Sequence, residues 1–288
     1  MGASVPGVEV LAEAEWRERA ARHRQRVRRF TGPHRGRKRR GEAHPVLDFL
    51  FTYYSHRPAR LEEWHPGPGV VLLGGAEYLG RPGYVADGGG VRLDPTALPR
   101  LAPTVRFVRT LLTATAARPP RLSCFGLHEW AMVYRSPAPR HTAVPLRLGA
   151  AGTDAVVEAL PVHCTHHDAF RFFTPAARPR NAVAPARADQ AEYEQPGCLH
   201  ATMDIYKWAY KLSPATPADL VADCFELAAD VRELDMRASP YDLAALGYPP
   251  VPIETAAGRA AYARAQSAFA RRAAPLRERL VDVCSALL

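Results

Sequence analysis

Apolar residues recurring at helical spacing, in segments closed by Gly and Pro, constrain this chain most. Residues 96–117 bury a stripe of Leu98, Leu101, Val105, Val108, Leu111 and Leu112, and 217–237 one of Leu220, Val221, Cys224, Leu227, Val231 and Leu234. The same spacing predicts helices over 198–213 and over 255–287, the latter interrupted near Pro275, and over 8–31, stopped by Thr31-Gly32-Pro33. Shorter helical segments are expected at 45–64, on either side of Arg57-Pro58, and at 125–134, 166–173 and 239–246. Strand signals are few. Val70–Leu73 is one, and Tyr84–Ala86 and Val91–Leu93 flank the hairpin signal Asp87-Gly88-Gly89-Gly90. Residues 144–149 and 156–163 are further strand candidates, and the Pro/Arg/Ala-rich 175–196 is expected to be a mobile loop. The fold class these patterns imply is mainly α, a multi-helix globular domain with a small β-hairpin element.

Charge divides the chain unevenly. Lys+Arg is 38 and Asp+Glu 29, a formal net charge of +9 over 288 residues. Residues 17–40 hold twelve Lys/Arg and the single acid Glu18, so this segment is +11 and the remainder −2. We therefore expect a basic N-terminal helix and arm over 1–43 and a single mainly helical domain over 44–288. In the arm Arg35, Arg37, Lys38, Arg39 and Arg40, joined by Lys211, are the candidate phosphate contacts, with DNA as the partner. No apolar run approaches the length that spans a bilayer, so no membrane partner is expected. The N-terminus lacks a signal-peptide pattern, and the five scattered Cys then read as reduced thiols of a cytoplasmic protein. Of the 38 basic residues only Lys38, Lys207 and Lys211 are Lys, Asn181 is the sole Asn, and Ile205 and Ile253 are the only Ile. Residues that resist such a bias point to specific requirements, and Ile205, Lys207 and Lys211 fall close together.

Polar groups set in apolar sequence carry the chemistry, because burying them unpaired costs free energy. Four segments qualify: FGLHEWAMVY with His128 and Glu129; HCTHHDAFRFF with His163, His166, His167 and Asp168; CLHATMDIYKWAYK with His200, Asp204, Lys207 and Lys211; and CFELAADVRELDMR with its acids. His200, Asp204, Lys207 and Lys211 share one helix face. That face reads either as an exposed salt-bridged stripe or as a carboxylate beside an amine at an aromatic pocket. Glu226, Asp230 and Glu233 read as a solvated face. A metal site is a second possibility, with ligands among His128, Glu129, His163, His167, His200 and Asp204, although no CxxC or HExxH pattern occurs. No G-x-S-x-G elbow or catalytic Cys frame is present.

The stretches HPVLDFLFTYYSHRPARLEEWHPG, CFGLHEWAMVYR, HHDAFRFFTPAARPRN, EQPGCLHATMDIYKWAYKLSP and DCFELAADVRELDMRASPYDL resemble a bacterial family usually labelled 3-methyladenine DNA glycosylase, over residues 44–280. The resemblance implies base excision without a cofactor: hydrolysis of the N-glycosidic bond of alkylated purines in DNA. Neither a Gly-rich hairpin before a catalytic Asp, nor paired terminal Cys and His, nor tandem helix pairs are found, so no catalytic residue carries over by motif. On chemical grounds the carboxylate that stabilises an oxocarbenium-like state is expected to be Asp204, then Glu129 or Asp168. His200 and Lys207 would position or tune it, with His128 and His167 nearby. Tyr53, Tyr54, Trp130, Tyr134 and Trp208 would stack the extruded cationic base. Two other classes compete: a metal-dependent helical oxygenase or hydrolase acting on a small molecule, holding a transition metal, and a non-enzymatic nucleic-acid-binding protein.

Overall fold

The computed structural model describes residues 8–137 and 144–288. It is mainly α, with eleven α-helices and one four-stranded sheet among the described residues. In chain order these are β1 (Glu9–Leu11), α1 (Glu13–Arg39), α2 (Phe49–Tyr53), α3 (Pro58–Leu61), β2 (Val70–Leu73), β3 (Tyr84–Asp87), β4 (Gly90–Leu93), α4 (Ala102–Ala116), α5 (Leu127–Ala131), α6 (Gly149–Ala159), α7 (His167–Phe170), α8 (Gln190–Tyr193), α9 (Leu199–Lys211), α10 (Ala218–Arg237) and α11 (Ala256–Ala286). No described helix is long and apolar enough to cross a membrane.

The chain forms two compact units. One takes the described residues up to Arg109, with Tyr206–Phe225 and Glu278–Leu288; the other takes those of Thr110–Ile205, with Glu226–Arg277. The division expected at residue 43 falls inside the first unit.

In the first unit the sheet order is β1-β2-β4-β3. β1 runs parallel to β2, while β2–β4 and the β3–β4 hairpin are antiparallel. Gly90 sits where a Cβ would lie 2.6 Å from Val71 Cγ1, so the β2–β4 approach requires glycine. Trp16 of α1 is buried, its indole donates to the Leu73 carbonyl at 2.9 Å, and its ring meets Tyr78 edge-on at 5.6 Å. The buried face of α1 is Trp16, Ala20, His23, Val27, Thr31 and His34, a continuous helical stripe.

That stripe corrects the expected stop at Thr31-Gly32-Pro33 and the basic loop expected after it. The helix continues through Pro33 to Arg39. Thr31 bonds Glu62, and His34 lies 2.8 Å from Asp48, so buried contacts on both sides of Pro33 hold turns that local propensity disfavours.

In the second unit the strands expected at 144–149 and 156–163 are replaced by α6, flanked by the isolated bridges Leu146–Tyr241 and Val162–Asn181. Thr153, Val156 and Val157 form its buried side, a three- and four-residue spacing that outranks the β-branched content. The helix expected at 239–246 shrinks to one 3-10 turn, Ala244–Leu246. Ser239 instead donates to the Met236 carbonyl at 2.6 Å and so closes α10. α11 continues through Pro275, with Ala273 and Leu280 buried on either side. The 175–196 segment is anchored by the buried Gln195 and the half-buried Asn181. Gln195 Oε1 accepts from the Arg121 and Gly197 amides at 2.7 and 2.8 Å, and Asn181 bonds the Cys164 amide and carbonyl at 2.7 and 2.8 Å.

Candidate functional site

The second unit buries a cluster of ionisable side chains that its helices bring together. α5 supplies His128 and Glu129, the turn before α7 supplies His166, the residue after α8 is Glu194, α9 supplies His200 and Asp204, and α10 supplies Arg232 and Asp235. All eight are buried. Burying an ion costs several kcal/mol unless partners compensate, so a cluster of this size is a poor device for stability alone and makes this the candidate site.

Two triads stand side by side within it. In His128–His200–Asp235 and in His166–Glu194–Asp204, potential ligand atoms lie within 4.8 Å of one another. The His200 ring joins the triads, edge-on to His128 at 4.4 Å and stacked on His166 at 5.3 Å between centroids. His128 Nε2 meets Asp235 Oδ1 at 2.7 Å, while Arg232 Nη1 donates to Asp235 Oδ2 at 2.9 Å and to Glu129 Oε1 at 3.0 Å. His166 Nε2 lies 3.2 Å from Glu194 and 3.4 Å from Asp204, distances of an ion pair without the alignment of a hydrogen bond.

The protonation pattern follows from this geometry. Burial opposes the charged form of His128, but the Asp235 carboxylate outweighs it and holds the imidazole well above its ordinary range. Burial alone would raise Asp235, yet His128 beside it keeps the carboxyl low. Burial likewise opposes charge on His166, and Asp204 and Glu194 overcome it, lifting the ring to about 9. Glu129 is raised, by burial first and then by Asp235. His200 goes the other way: burial and then the charged His128 push it well below the ordinary histidine value. It is therefore a neutral imidazole, and its buried Nδ1 has no hydrogen-bond partner.

A cavity of about 270 Å³ abuts the cluster at His128 and is lined by Cys124, Cys164, Cys198, His163, Tyr262 and Gln266 among others. The Tyr262 hydroxyl and Gln266 Oε1 are buried there without hydrogen-bond partners. Phe125, next to Cys124 at the start of α5, holds φ at +48° and is followed by Gly126 at +73°. A left-handed non-glycine residue carries a strain that clusters at functional sites.

Of the residues singled out in the sequence, His128, Glu129, His166, His200 and Asp204 converge here. His163 lines the cavity but belongs to neither triad. His167 turns its Nδ1 to the Pro185 carbonyl at 3.1 Å, and Asp168 pairs with Arg171 at 3.4 Å. Lys207 and Lys211 fall in the first unit, their ammonium groups 4.6 and 6.0 Å from the Trp208 ring centroid. Because His200 and Asp204 are buried, the exposed-stripe reading of that helix face does not hold for them. The proposed base-stacking aromatics separate: Tyr53, Tyr54 and Trp208 belong to the first unit, Trp130 and Tyr134 to the core of the second.

Of the phosphate candidates, Arg35 pairs with Glu62 at 2.8 Å, Arg37 with Asp48 at 2.6 Å and Arg40 with Glu42 at 2.7 Å, while Lys38, Arg39 and Lys211 are exposed.

Two members of the triads, Asp235 and Glu194, were not singled out as ligands. Asp235 follows Val231 by four residues and so lies on the buried stripe of α10, a signal available in the sequence. His166 stood beside His167, and only the start of α7 decides which of the two turns inward. Glu194 comes from an aperiodic segment and carried no signal. No family model matches this chain, and neither a curated protein nor a solved structure matches it.

Proposed function

We propose that the protein is a metal-dependent enzyme, an oxygenase or hydrolase acting on a small molecule. The observation that carries this reading is His200: a neutral imidazole with an unpartnered buried nitrogen, set where two His/carboxylate triads meet. Two His and one carboxylate suit a first-row divalent ion with open positions, and one His with two carboxylates suits a harder neighbour. Facing helices that project Glu, Asp and His inward are a recurrent way to build such centres. His128, His200 and Asp235 would hold one ion and His166, Glu194 and Asp204 a second, with Arg232 and Glu129 orienting Asp235. A bound ion supplies Lewis acidity or an activated oxygen ligand. The adjoining cavity supplies room for a small substrate, with the Tyr262 hydroxyl and Gln266 to engage its polar groups.

Elemental analysis of protein purified without a His tag tests the reading. We expect at least one equivalent of transition metal, and at least a tenfold loss in His200→Gln and Asp204→Asn that stay folded by circular dichroism. Less than about one-tenth equivalent in the wild-type protein, before and after incubation with Fe(II), Mn(II) or Zn(II), overturns it. The glycosylase implied by the resemblance expects the opposite outcome: release of free base from methylated DNA by the metal-free protein, abolished in Asp204→Asn.

A further inference from the structure

The first unit carries a cavity of its own, about 450 Å³, which shares no residue with the His/carboxylate cluster. Its walls combine two chemistries. Leu98, Leu101 and Val221 supply an apolar floor, while Arg60, Arg81 and Arg100 supply guanidinium groups. Glu63 is the one carboxylate among the described lining residues, and it pairs with Arg60 at 2.9 Å. Three guanidinium groups against one carboxylate leave two positive charges facing the cavity.

His56 and His65 add none at neutral pH. Burial, then Arg60, pushes His56 down to about 4, and burial, then Arg81, does the same to His65. Both rings are held in place. His56 Nδ1 meets the Tyr206 hydroxyl at 2.9 Å, and its ring lies parallel to Tyr210, 4.6 Å away and tilted by 2°. His65 Nδ1 meets the Tyr84 hydroxyl at 3.0 Å.

Arg81 is the informative residue. Its guanidinium carbon sits 4.2 Å above the Tyr78 ring, which fixes the fork, yet Nη1 is buried without an acceptor. Leaving a buried charged donor unsatisfied is costly, and an anionic oxygen in the cavity removes that cost.

We propose that this cavity binds a phosphate monoester carried on a flat apolar body. Arg81 and Arg100 hold the phosphate, and the His56–Tyr210 pair and the leucine floor pack against the body. A monoester is close to a dianion at neutral pH, which matches the two uncompensated charges, and Arg forks suit phosphate oxygens geometrically. The cavity size is in the range of small-molecule sites, where a few polar groups orient a ligand held largely by apolar contact.

Equilibrium dialysis of the full-length protein against phenyl phosphate tests this. We expect saturable one-site binding, at least about tenfold tighter than for inorganic phosphate or for the neutral benzyl alcohol. Arg81→Met keeps an unbranched apolar side chain but removes the charge, and should weaken phenyl phosphate binding at least about tenfold. Arg100→Ala alters an exposed side chain outside the core and should weaken binding even if Arg81→Met fails to fold. No saturable binding up to about 5 mM overturns the proposal, as does equally tight binding of either control ligand. Wild-type affinity in Arg100→Ala and in folded Arg81→Met overturns it too.

Discussion

Asp48 shows at the scale of one residue how a buried carboxylate is stabilised by filling its acceptors. It is 5% exposed, takes three hydrogen bonds from the Arg37 fork at 2.6 to 3.1 Å, meets His34 Nδ1 at 2.8 Å and accepts from the His44 amide at 2.8 Å. Burial alone would raise its pKa, but Arg37, His34 and the His44 amide outweigh that and hold it at about 2. The folded value lies below the unfolded one, so the stabilisation is complete above about pH 4 and is lost as pH falls through about 2, a contribution of about 2 kcal/mol. Asp48→Asn should therefore cost about that much at pH 7 and flatten the acid limb of stability. Urea unfolding at pH 7, 4 and 2.5 checks this, and parallel pH profiles for variant and wild type would contradict it. The eight-residue cluster that includes His200 differs in kind. Asp48 has its acceptors filled, whereas His200 keeps a buried nitrogen without a partner.

At the scale of elements, the residues legible in the sequence were those on a regular period. The stripes of α4, α9 and α10 and the β3–β4 hairpin appear close to where their patterns put them, and with them His128, His200 and Asp204. What was not legible depended on partners distant in the chain. β1 is three residues long and exists because β2 pairs with it. The last turns of α1 exist because Glu62 and Asp48 reach Thr31 and His34. Glu194 is placed by its loop's buried anchors rather than by a period, and no local pattern encodes that. The α1 result carries a prediction. Pro33 is exposed within the helix, where it removes one backbone hydrogen bond. Pro33→Ala should raise stability by about 1–3 kcal/mol, read as a shift in the denaturant midpoint at unchanged slope. A loss of stability would mean that Pro33 itself is needed for α1 to fit its neighbours.

For the whole molecule the charge pattern changes meaning once folded. The +11 segment is a helix whose guanidinium groups are largely met by acids: Arg17 by Glu13 and Glu77, Arg19 by Glu9 and Glu15, Arg26 by Asp223, and Arg35 by Glu62. Arg24, Lys38 and Arg39 are exposed. Were the protein to bind duplex DNA, its affinity should then fall with salt at a log–log slope of about −3, where engagement of all twelve cations would give about −11. Filter binding between 50 and 200 mM salt separates the two. The discontinuous make-up of the units has a consequence for genetic dissection. One unit is drawn from three stretches of chain and the other from two, and α4, α9, α10 and α11 each contribute residues to both. No contiguous gene fragment encodes either unit. A truncation at residue 43 removes Trp16 and Val27 from a buried core together with the basic charge. The two candidate sites are therefore open to point substitution, residue by residue, and closed to deletion mapping.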